Sequence, residues 1–531
     1  MLRHCALLIG FAVAAWAADD AWKQAYVPHG EAWKAVPQHF VFNNESEPET
    51  LDPAKMTGVL EDRIAKCLFE GLVTTDPKTL EPRPGVAETW EISADGLTYT
   101  FHLRADARWS DGSPVTANDF VRSWLRVITP ATAADYAYML YPLAGAEDFH
   151  RGKHSDPTQV GVAAADARTL VVRLRVPCPW FLELCAFHTL LPTPGDAVAQ
   201  HQERWTRPEH IVGNGPFVLK SWDQRRAIVV EKNQHYWDRA FVKLERVTIL
   251  PHDNAETAYK LFQTGAVQWI PKLPTAKLDE IRRRAEYYSS PYFGTYFYRF
   301  NVTKPPLDDV HVRRAIAWAI DRQAIAQQIA RGGQIPRGAW CPPIAGYQPV
   351  AGPGLDIDRA RRELAASRYA GKVPPIELLY NTDDLHKVIA EALAQQLKQA
   401  LGIEIVLRNS EWGTYLKAQD SLDYAMSRSA WIGDFGDPDT FFNLFLTGGG
   451  NNKTGWGNAR YDELVKASQT EGVPATRWKM LQEAERLLVE DECPIACVYT
   501  YVAQGLLDER VMGFAPNLRD LHPLKYVWLE P

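Results

Sequence analysis

The chain has 531 residues, of which 46% are hydrophobic and 23% are charged, and its formal net charge is −7 at pH 7. This length exceeds one ordinary hydrophobic core, so two or more domains are expected. The modest acidic charge, without a long run of lysine or arginine, argues against nucleic acid or an anionic membrane as the partner.

The amino terminus has the pattern of a secretory signal peptide. Basic residues precede an apolar run over 6–15 that is too short to cross a bilayer, and Ala15 and Ala17 supply the small side chains needed for cleavage. We expect residues 1–17 to be removed and the mature chain to be soluble and exported. Cys5 precedes the apolar run, where it does not fit a lipoprotein anchor.

The early part of the chain contains an antiparallel section. Over 98–104, Tyr99, Phe101 and Leu103 alternate with more polar residues, which predicts a half-buried strand. The turn signal Asp95-Gly96 comes directly before it.

The later half reads as alternating strands and helices. Apolar residues at helical spacing predict helices around 312–320 and 478–488. The clearest unit joins a strand at 376–380 to one at 403–407 through a helix that Gly402 ends. Such a crossover predicts parallel strands in one sheet, so the expected fold class is α/β.

A strand that ends in an acidic loop follows this unit. Residues 424–432 alternate with period two, Gly433 ends the run, and Asp437 and Pro438 fit the N-cap and first position of a helix. Asp434 therefore lies just beyond the carboxyl end of a strand, where open α/β sheets place ligands. A carboxylate there suits a cation such as a peptide ammonium; the alternative is a solvated loop aspartate.

The sequence presents no recognised catalytic or metal motif. It has no His-Glu-x-x-His, Gly-x-Ser-x-Gly or Cys-x-x-Cys pattern, and the glycine-rich stretch 448–454 lacks the glycine that precedes the lysine of a phosphate loop. His386 lies in the first turn of the helix after strand 376–380, on a rim where sites form; the alternative is a helix-start residue that faces solvent. We expect neither enzyme activity, nor a metal, nor a cofactor.

Six cysteines follow the predicted cleavage site, too few for a disulfide scaffold in a chain of this size. Cys178 with Cys185 and Cys493 with Cys497 are local candidates for pairing. Buried thiols and one or two bridges are both compatible with the sequence.

A series of short motifs extends along most of the chain. It comprises Asn43-Asn44, Leu51-Asp52-Pro53, Leu68-Phe69-Glu70-Gly71-Leu72, Gly85-Val86-Ala87-Glu88-Thr89-Trp90, Trp109-Ser110-Asp111-Gly112, Ala117-Asn118-Asp119-Phe120, Gly213-Asn214-Gly215-Pro216-Phe217 and Val310-His311-Val312-Arg313-Arg314-Ala315. The series resembles the periplasmic oligopeptide-binding proteins of ABC importers, in the extracellular solute-binding protein family 5, which also holds dipeptide and nickel binders.

Within that family, 380–387 and 431–434 look most like the oligopeptide branch, although dipeptide binders share the Trp-x-Gly-Asp type of loop. The chain departs from some relatives at two points. Ile432 and the region of Gly294 lack the cysteines that those relatives pair, so that bridge is absent. Gln419 stands where some oligopeptide binders have an arginine that helps with carboxyl termini, which leaves the preferred peptide length open.

The resemblance implies a type II periplasmic binding protein fold, with two main lobes, a hinge and an inserted domain. The implied boundaries are 23–69, 194–293 and 502–531 for the first lobe, 70–193 for the inserted domain and 294–501 for the third lobe. Two chain crossings, near 293 and 501, would form the hinge.

The resemblance also implies an extended peptide between the first and third lobes. Strand-like segments near Val59 and Ala430 would bind its backbone by β-augmentation. Asp434, beside Trp431 in the acidic loop, would pair with the peptide's ammonium.

Four further residues are implied at the site. Arg428 and His386 match positions that can meet the peptide's carboxyl terminus; the alternatives are an internal ion pair and a helix-start contact. Tyr136 and Trp412 match aromatic residues that line the cleft; the alternative is ordinary core packing.

The expected partners are short peptides and the permease subunits of an ABC importer, with the protein itself a monomer. The alternatives are a dipeptide, murein-peptide or haem-type binder, and a peptide sensor or chaperone on the same fold. An exported hydrolase would need a nucleophile–base pair, which the sequence does not present.

Overall fold

The computed structural model describes residues 20–344 and 346–531. The predicted signal peptide, residues 1–17, lies outside the described residues. Within the described ranges, no helix is both long enough and apolar enough to cross a membrane.

The elements alternate along the chain, joined by short 3₁₀ and π turns. The strands are β1 (His39–Asn43), β2 (Val73–Thr75), β3 (Pro82–Pro84), β4 (Ala87–Ile92), β5 (Thr98–Leu103), β6 (Val162–Ala164), β7 (Thr169–Arg173), β8 (Phe217–Asp223), β9 (Ala227–Lys232), β10 (Arg246–Leu250), β11 (Trp269–Ile270), β12 (Tyr287–Phe300), β13 (Ile335–Pro336), β14 (Ile376–Asn381), β15 (Ile405–Ser410), β16 (Met426–Ile432), β17 (Ile495–Leu507), β18 (Val511–Met512) and β19 (Trp528–Leu529). The helices are α1 (Val59–Leu68), α2 (Ala117–Ile128), α3 (Ala146–His150), α4 (Phe181–Leu184), α5 (Gly195–His201), α6 (Ala255–Gln263), α7 (Leu278–Ile281), α8 (Val310–Ala319), α9 (Arg322–Ala324), α10 (Ile357–Ala366), α11 (Asp384–Leu401), α12 (Trp412–Asp420), α13 (Asp439–Phe442), α14 (Ala459–Thr470) and α15 (Pro474–Arg486).

An eleven-stranded mixed sheet organises the molecule, in the order β15-β14-β16-β12-β17-β11-β1-β10-β9-β8, with β13 added beside β17. The long strands β12 and β17 form its centre and pair antiparallel, with a register shift between Pro291 and Thr295. We call β14, β15 and β16 the β14 flank, and β11, β1, β10, β9 and β8 the β1 flank. The predicted crossings near 293 and 501 fall within β12 and β17, and the division into three lobes stays a prediction.

The predicted local elements are largely confirmed. Strands β14 and β15 are parallel and are joined by α11, although β15 begins at Ile405, two residues later than predicted. Gly402 ends α11 in the left-handed region, with φ of 69°. Helices α8 and α15 match the other two predicted helices.

A separate four-stranded antiparallel sheet, in the order β4-β5-β7-β6, contains the predicted early strand. Tyr99, Phe101 and Leu103 of β5 are all buried, as their alternation predicted. The six cysteines of the described residues are buried and free, so buried thiols are the alternative that the structure supports.

A buried ion pair ties the carboxyl-terminal segment to the rest of the fold. Lys525 Nζ lies 2.7 Å from Glu70 Oε1, and each side chain is only 5% exposed. Tyr236 and Trp237 also donate hydrogen bonds to the Glu70 carboxylate. Burial alone would raise the pKa of Glu70, but the ammonium of Lys525 and these donors hold it below its usual range.

Lys525→Met should destabilise the fold by about 3–5 kcal/mol, because it leaves a buried carboxylate without its cation. Lys232→Met is the matched control, since Lys232 pairs with the largely exposed Glu245 and should change stability by less than about 1 kcal/mol. Thermal unfolding followed by circular dichroism measures both. Equal unfolding temperatures for the two variants would contradict this view of the Glu70–Lys525 pair.

Candidate functional site

A cavity of about 610 Å³ is lined by residues from both flanks of the central strands. Its volume is typical of pockets that bind small ligands. All the residues proposed for the site from sequence line this cavity: Val59, Tyr136, His386, Trp412, Arg428, Ala430, Trp431 and Asp434.

Asp434 carries a buried carboxylate in the cavity wall. It follows β16 by two residues and is 8% exposed. Its carboxylate oxygens accept hydrogen bonds from the hydroxyls of Tyr136 (3.5 Å) and Thr440 (3.2 Å). Among the described residues, no lysine, arginine or histidine nitrogen lies within 4.0 Å of this carboxylate.

The Asp434 carboxylate therefore has too few favourable contacts within the protein to offset its loss of solvent. Loss of solvent on burial raises the pKa of Asp434 well above its ordinary value, and the Thr440 hydroxyl, the charge of Arg519 and the Tyr136 hydroxyl compensate only in part. The solvated-loop alternative is therefore wrong for this residue. A cation delivered from outside would stabilise the ionised form.

The loop that holds Asp434 is fixed from several sides. The backbone N–H of Asp434 donates to Thr440 Oγ1 at 2.8 Å, and the guanidinium of Arg519 donates to the carbonyl oxygen of Asp434. Arg519 was not singled out from sequence, because it lies far along the chain and no local pattern marks it. These contacts set the direction in which the carboxylate points.

Helix α13 begins one residue later than predicted. It starts at Asp439, with Pro438 before it, and the carboxylate of Asp437 also accepts hydrogen bonds from Arg477 at 2.7 and 2.6 Å. Asp437 accepts the N–H of Asp439 at 2.9 Å, which is the capping contact expected from the sequence.

Aromatic rings surround the carboxylate. Tyr136 and Trp431 lie with ring centroids 6.0 Å apart, and Trp431 Nε1 donates to the carbonyl of Thr440 at 2.8 Å. Trp412, farther along the wall, stacks on Tyr415 and donates to Glu61 at 3.3 Å. These rings both pack and line the cavity, so the two alternatives stated for Tyr136 and Trp412 are compatible.

The two backbone segments proposed from sequence differ in conformation. Ala430 lies in β16 opposite Tyr296 of β12, as expected for a strand. Val59 is the first residue of α1, so the expectation of a strand-like segment there was wrong. The extended backbone ends at Gly58, because acidic residues in the first turn favour the start of a helix at this point.

One edge of β16 is open beside the cavity. Strand β14 pairs with β16 at Met426 and Ser427, and no described strand continues that pairing from Arg428 onward. The remaining residues of β16 are bonded to β12 on their other edge. An open strand edge in a cavity wall can accept an extended chain.

A second buried charge without an opposite partner lies near Asn381. Arg428 is 7% exposed and donates to Tyr501 (2.7 Å) and Asn381 (3.2 Å). Among the residues that the structure describes, no carboxylate oxygen lies within 4.0 Å of its guanidinium, so the predicted alternative of an internal ion pair is not formed.

His386 is buried beside this charge rather than facing solvent. Burial and the positive charge of Arg428 lower the pKa of His386 well below its ordinary value, so the ring is neutral near pH 7. Its backbone N–H donates to the Asp383 carboxylate at 2.8 Å, which is the helix-start contact considered from sequence. In residues 20–344 and 346–531, no group of three or more His, Cys, Asp or Glu is arranged to hold a metal ion.

The family model for bacterial extracellular solute-binding proteins, family 5, matches residues 81–453 of this chain. The chain belongs to that family. It is 36% identical to the oligopeptide-binding protein OppA of Bacillus subtilis over 489 residues, 89% of each chain. The type II periplasmic binding protein fold expected from sequence is confirmed.

Solved structures of family 5 proteins superpose closely on this one. OppA of Haemophilus influenzae in complex with the peptide RPPGFSPFR gives a TM-score of 0.90 at 33% identity, over 93% of this chain and 99% of that one. The murein tripeptide binding protein MppA of Escherichia coli gives 0.89 at 33% identity, over 93% and 98%. The unliganded open form of MppA gives only 0.62 over 93% and 97%. The structure is therefore much closer to the first MppA arrangement than to the open one.

Gly433→Ala should destabilise the Asp434 loop by about 1–3 kcal/mol, because its Cβ would lie 2.1 Å from the ring of Phe293. Gly436→Ala is the control in the same loop, since its Cβ would meet nothing closer than Glu183 Oε1 at 3.5 Å. Thermal unfolding of both variants makes the comparison. If Gly433→Ala unfolds at the wild-type temperature, the close approach of the Phe293 ring to Gly433 does not constrain the loop.

Proposed function

We propose that this protein is a periplasmic receptor that captures short peptides with a free amino terminus and delivers them to an ABC permease. The carboxylate of Asp434, which is buried and has no cation within 4.0 Å among the described residues, carries the proposal. Residues 1–17 direct the chain out of the cytoplasm, and the mature protein acts as a monomeric carrier without enzyme activity.

The amino terminus of the peptide binds at Asp434. Its ammonium supplies the positive charge that the carboxylate lacks and adds charge-assisted hydrogen bonds to the two contacts from hydroxyl groups. A peptide without a free amine leaves the buried carboxylate unmatched and is rejected, since an uncompensated charge inside a protein costs several kcal/mol.

The peptide backbone pairs with the open edge of β16 around Ala430. Main-chain hydrogen bonds of this kind give affinity whatever the side chains are. Cavity space beside that edge holds the side chains together with bridging water, which adapts to different groups.

The carboxyl terminus of the peptide meets Arg428. This guanidinium has only neutral acceptors in the described structure, so a ligand carboxylate completes its charge balance. Neutral His386 beside it offers a hydrogen bond without a competing charge. Asp434 and Arg428 thus give the cavity a direction, with a carboxylate that lacks a cation in contact at one end and a guanidinium that lacks an anion in contact at the other.

The relatives support this reading and leave one close alternative. OppA of Haemophilus influenzae was solved with a bound peptide, and MppA is described as a murein tripeptide binder. A murein peptide also has an ammonium and carboxylates, so it fits the same charge pattern. Binding of a linear tripeptide against a murein tripeptide distinguishes the two.

Asp434→Asn should remove the preference for a free amino terminus. The wild-type chain should bind a tripeptide more tightly than its N-acetylated form by about 2–5 kcal/mol, because the acetylated form leaves a buried charge unpaired. Isothermal titration calorimetry with both peptides measures the difference.

Asp437→Asn is the control for that experiment, because its carboxylate binds Arg477 outside the cavity. This variant should lose stability and keep the preference for the free amine. Equal binding of both peptides by the wild-type chain would remove Asp434 from the role of ammonium partner.

Peptide binding should close the lobes about the two crossings in β12 and β17. The peptide contacts both flanks, and a ligand shifts an equilibrium by its differential affinity for the closed state. Small-angle X-ray scattering should show a smaller radius of gyration with saturating tripeptide. An unchanged radius, with binding established separately, would favour a rigid site.

A further inference from the structure

A buried ion pair joins the two flanks of the sheet, and its only bond to a proposed ligand contact is the one from the backbone N–H of His386 to Asp383. Lys272 follows β11 on the β1 flank, and Asp383 follows β14 on the β14 flank. Lys272 Nζ lies 2.6 Å from Asp383 Oδ2, and the side chains are 14% and 11% exposed. Both residues line the cavity.

Each partner is held in place by its own flank. Lys272 Nζ also donates to the carbonyl oxygen of Asp253 at 2.6 Å, which lies on the β1 flank. Asp383 Oδ1 caps α11 by accepting the N–H of His386 at 2.8 Å, within the β14 flank. Neither local bond depends on the other flank, so both side chains are positioned before the flanks meet and little further ordering is needed.

A second hydrogen bond also joins the two flanks. Asn254 caps α6 on the β1 flank, and its amide donates to Asp384 Oδ2 in the first turn of α11 at 3.2 Å. The starts of α6 and α11 thus face each other across the cleft, and each contributes one side chain to a bond between the flanks.

We propose that the Lys272–Asp383 pair is a latch that favours the closed form for every ligand, independently of the groups at the ends of the peptide. This inference rests on the proposed function, since it concerns the closure that captures a peptide. In the open form both charges regain water, and in the closed form each is the other's partner. The apparent affinity for a peptide scales with the population of the closed form, so the latch acts on all ligands alike.

Removing one partner should open the protein. Lys272→Gln leaves the Asp383 carboxylate buried without a cation when the flanks close, whereas the open form leaves it solvated. Apparent affinity should fall by about tenfold or more for every peptide. Dissociation should accelerate, because the closed complex is the form that is weakened.

A double-mutant cycle isolates the pair. Asp383→Asn keeps the cap of α11, since asparagine caps as well as aspartate does, but it leaves Lys272 unmatched. Each single variant should lose about tenfold or more in affinity, and the double variant should lose less than the product of the two losses. Lys277→Gln is the control, because Lys277 pairs with Glu256 on the same flank and both side chains are more than one-third exposed.

The ligand used is one tripeptide as the free acid and as the carboxyl-terminal amide, titrated by calorimetry. The latch predicts the same fold loss for the two forms in Lys272→Gln. A loss confined to the free acid overturns the proposal, because Lys272 would then bind the peptide's carboxylate. Unchanged affinity of Lys272→Gln, or additive losses in the cycle, also overturns it.

Failure of the proposed function has a different signature. A wild-type chain that binds neither form of the tripeptide overturns both the function and the latch. If the wild-type chain binds the tripeptide and Lys272→Gln binds it with the same affinity, the proposed function is supported and only the latch is contradicted.

Discussion

A charge that leaves water must be matched, and the arrangement of the cavity depends on this constraint. Asp434 and Arg428 are both buried, and in the described structure neither has an opposite charge in contact. Replacing either residue by a neutral one would make the empty closed cavity easier to form. The proposed peptide ligand, which brings one positive and one negative group, would account for their presence.

The sheet explains how such a cavity can open and close. Its centre consists of two long strands, β12 and β17, and the elements that line the cavity are distributed over the flanks on either side. In the proposed motion about these strands, opening exposes Asp434 and Arg428 to water, and closure takes both out of water again. The free energy of matching the two charges with a peptide is thereby coupled to the closing motion.

Local patterns in the sequence predicted the parts of the fold that local physics determines. The alternation in β5, the helix between β14 and β15 and the loop after β16 all follow from spacing and turn residues. The family motifs led to the candidate site, because the residues that they indicated, including Asp434 and Arg428, line one cavity. The prediction of a strand-like segment at Val59 was wrong, because the start of its helix depends on a short acidic turn and not on a long periodic run.

Contacts between distant segments could not be predicted in this way. Arg519 holds the Asp434 loop from the far end of the chain, and Lys272 reaches Asp383 across the cleft. The pKa of His386 in α11 is lowered by burial and then by the charge of Arg428 in β16. Such pairs are set by the tertiary arrangement, and a single sequence contains no periodicity that marks them.

A crystal structure of the protein with a bound linear tripeptide tests the role of Asp434 most directly. The amino nitrogen of the ligand should lie within about 3.2 Å of an Asp434 carboxylate oxygen, with the Tyr136 hydroxyl still in contact. An amino nitrogen bound instead to Asp62 or Glu183, which also line the cavity, would contradict the assignment of Asp434 as the ammonium partner.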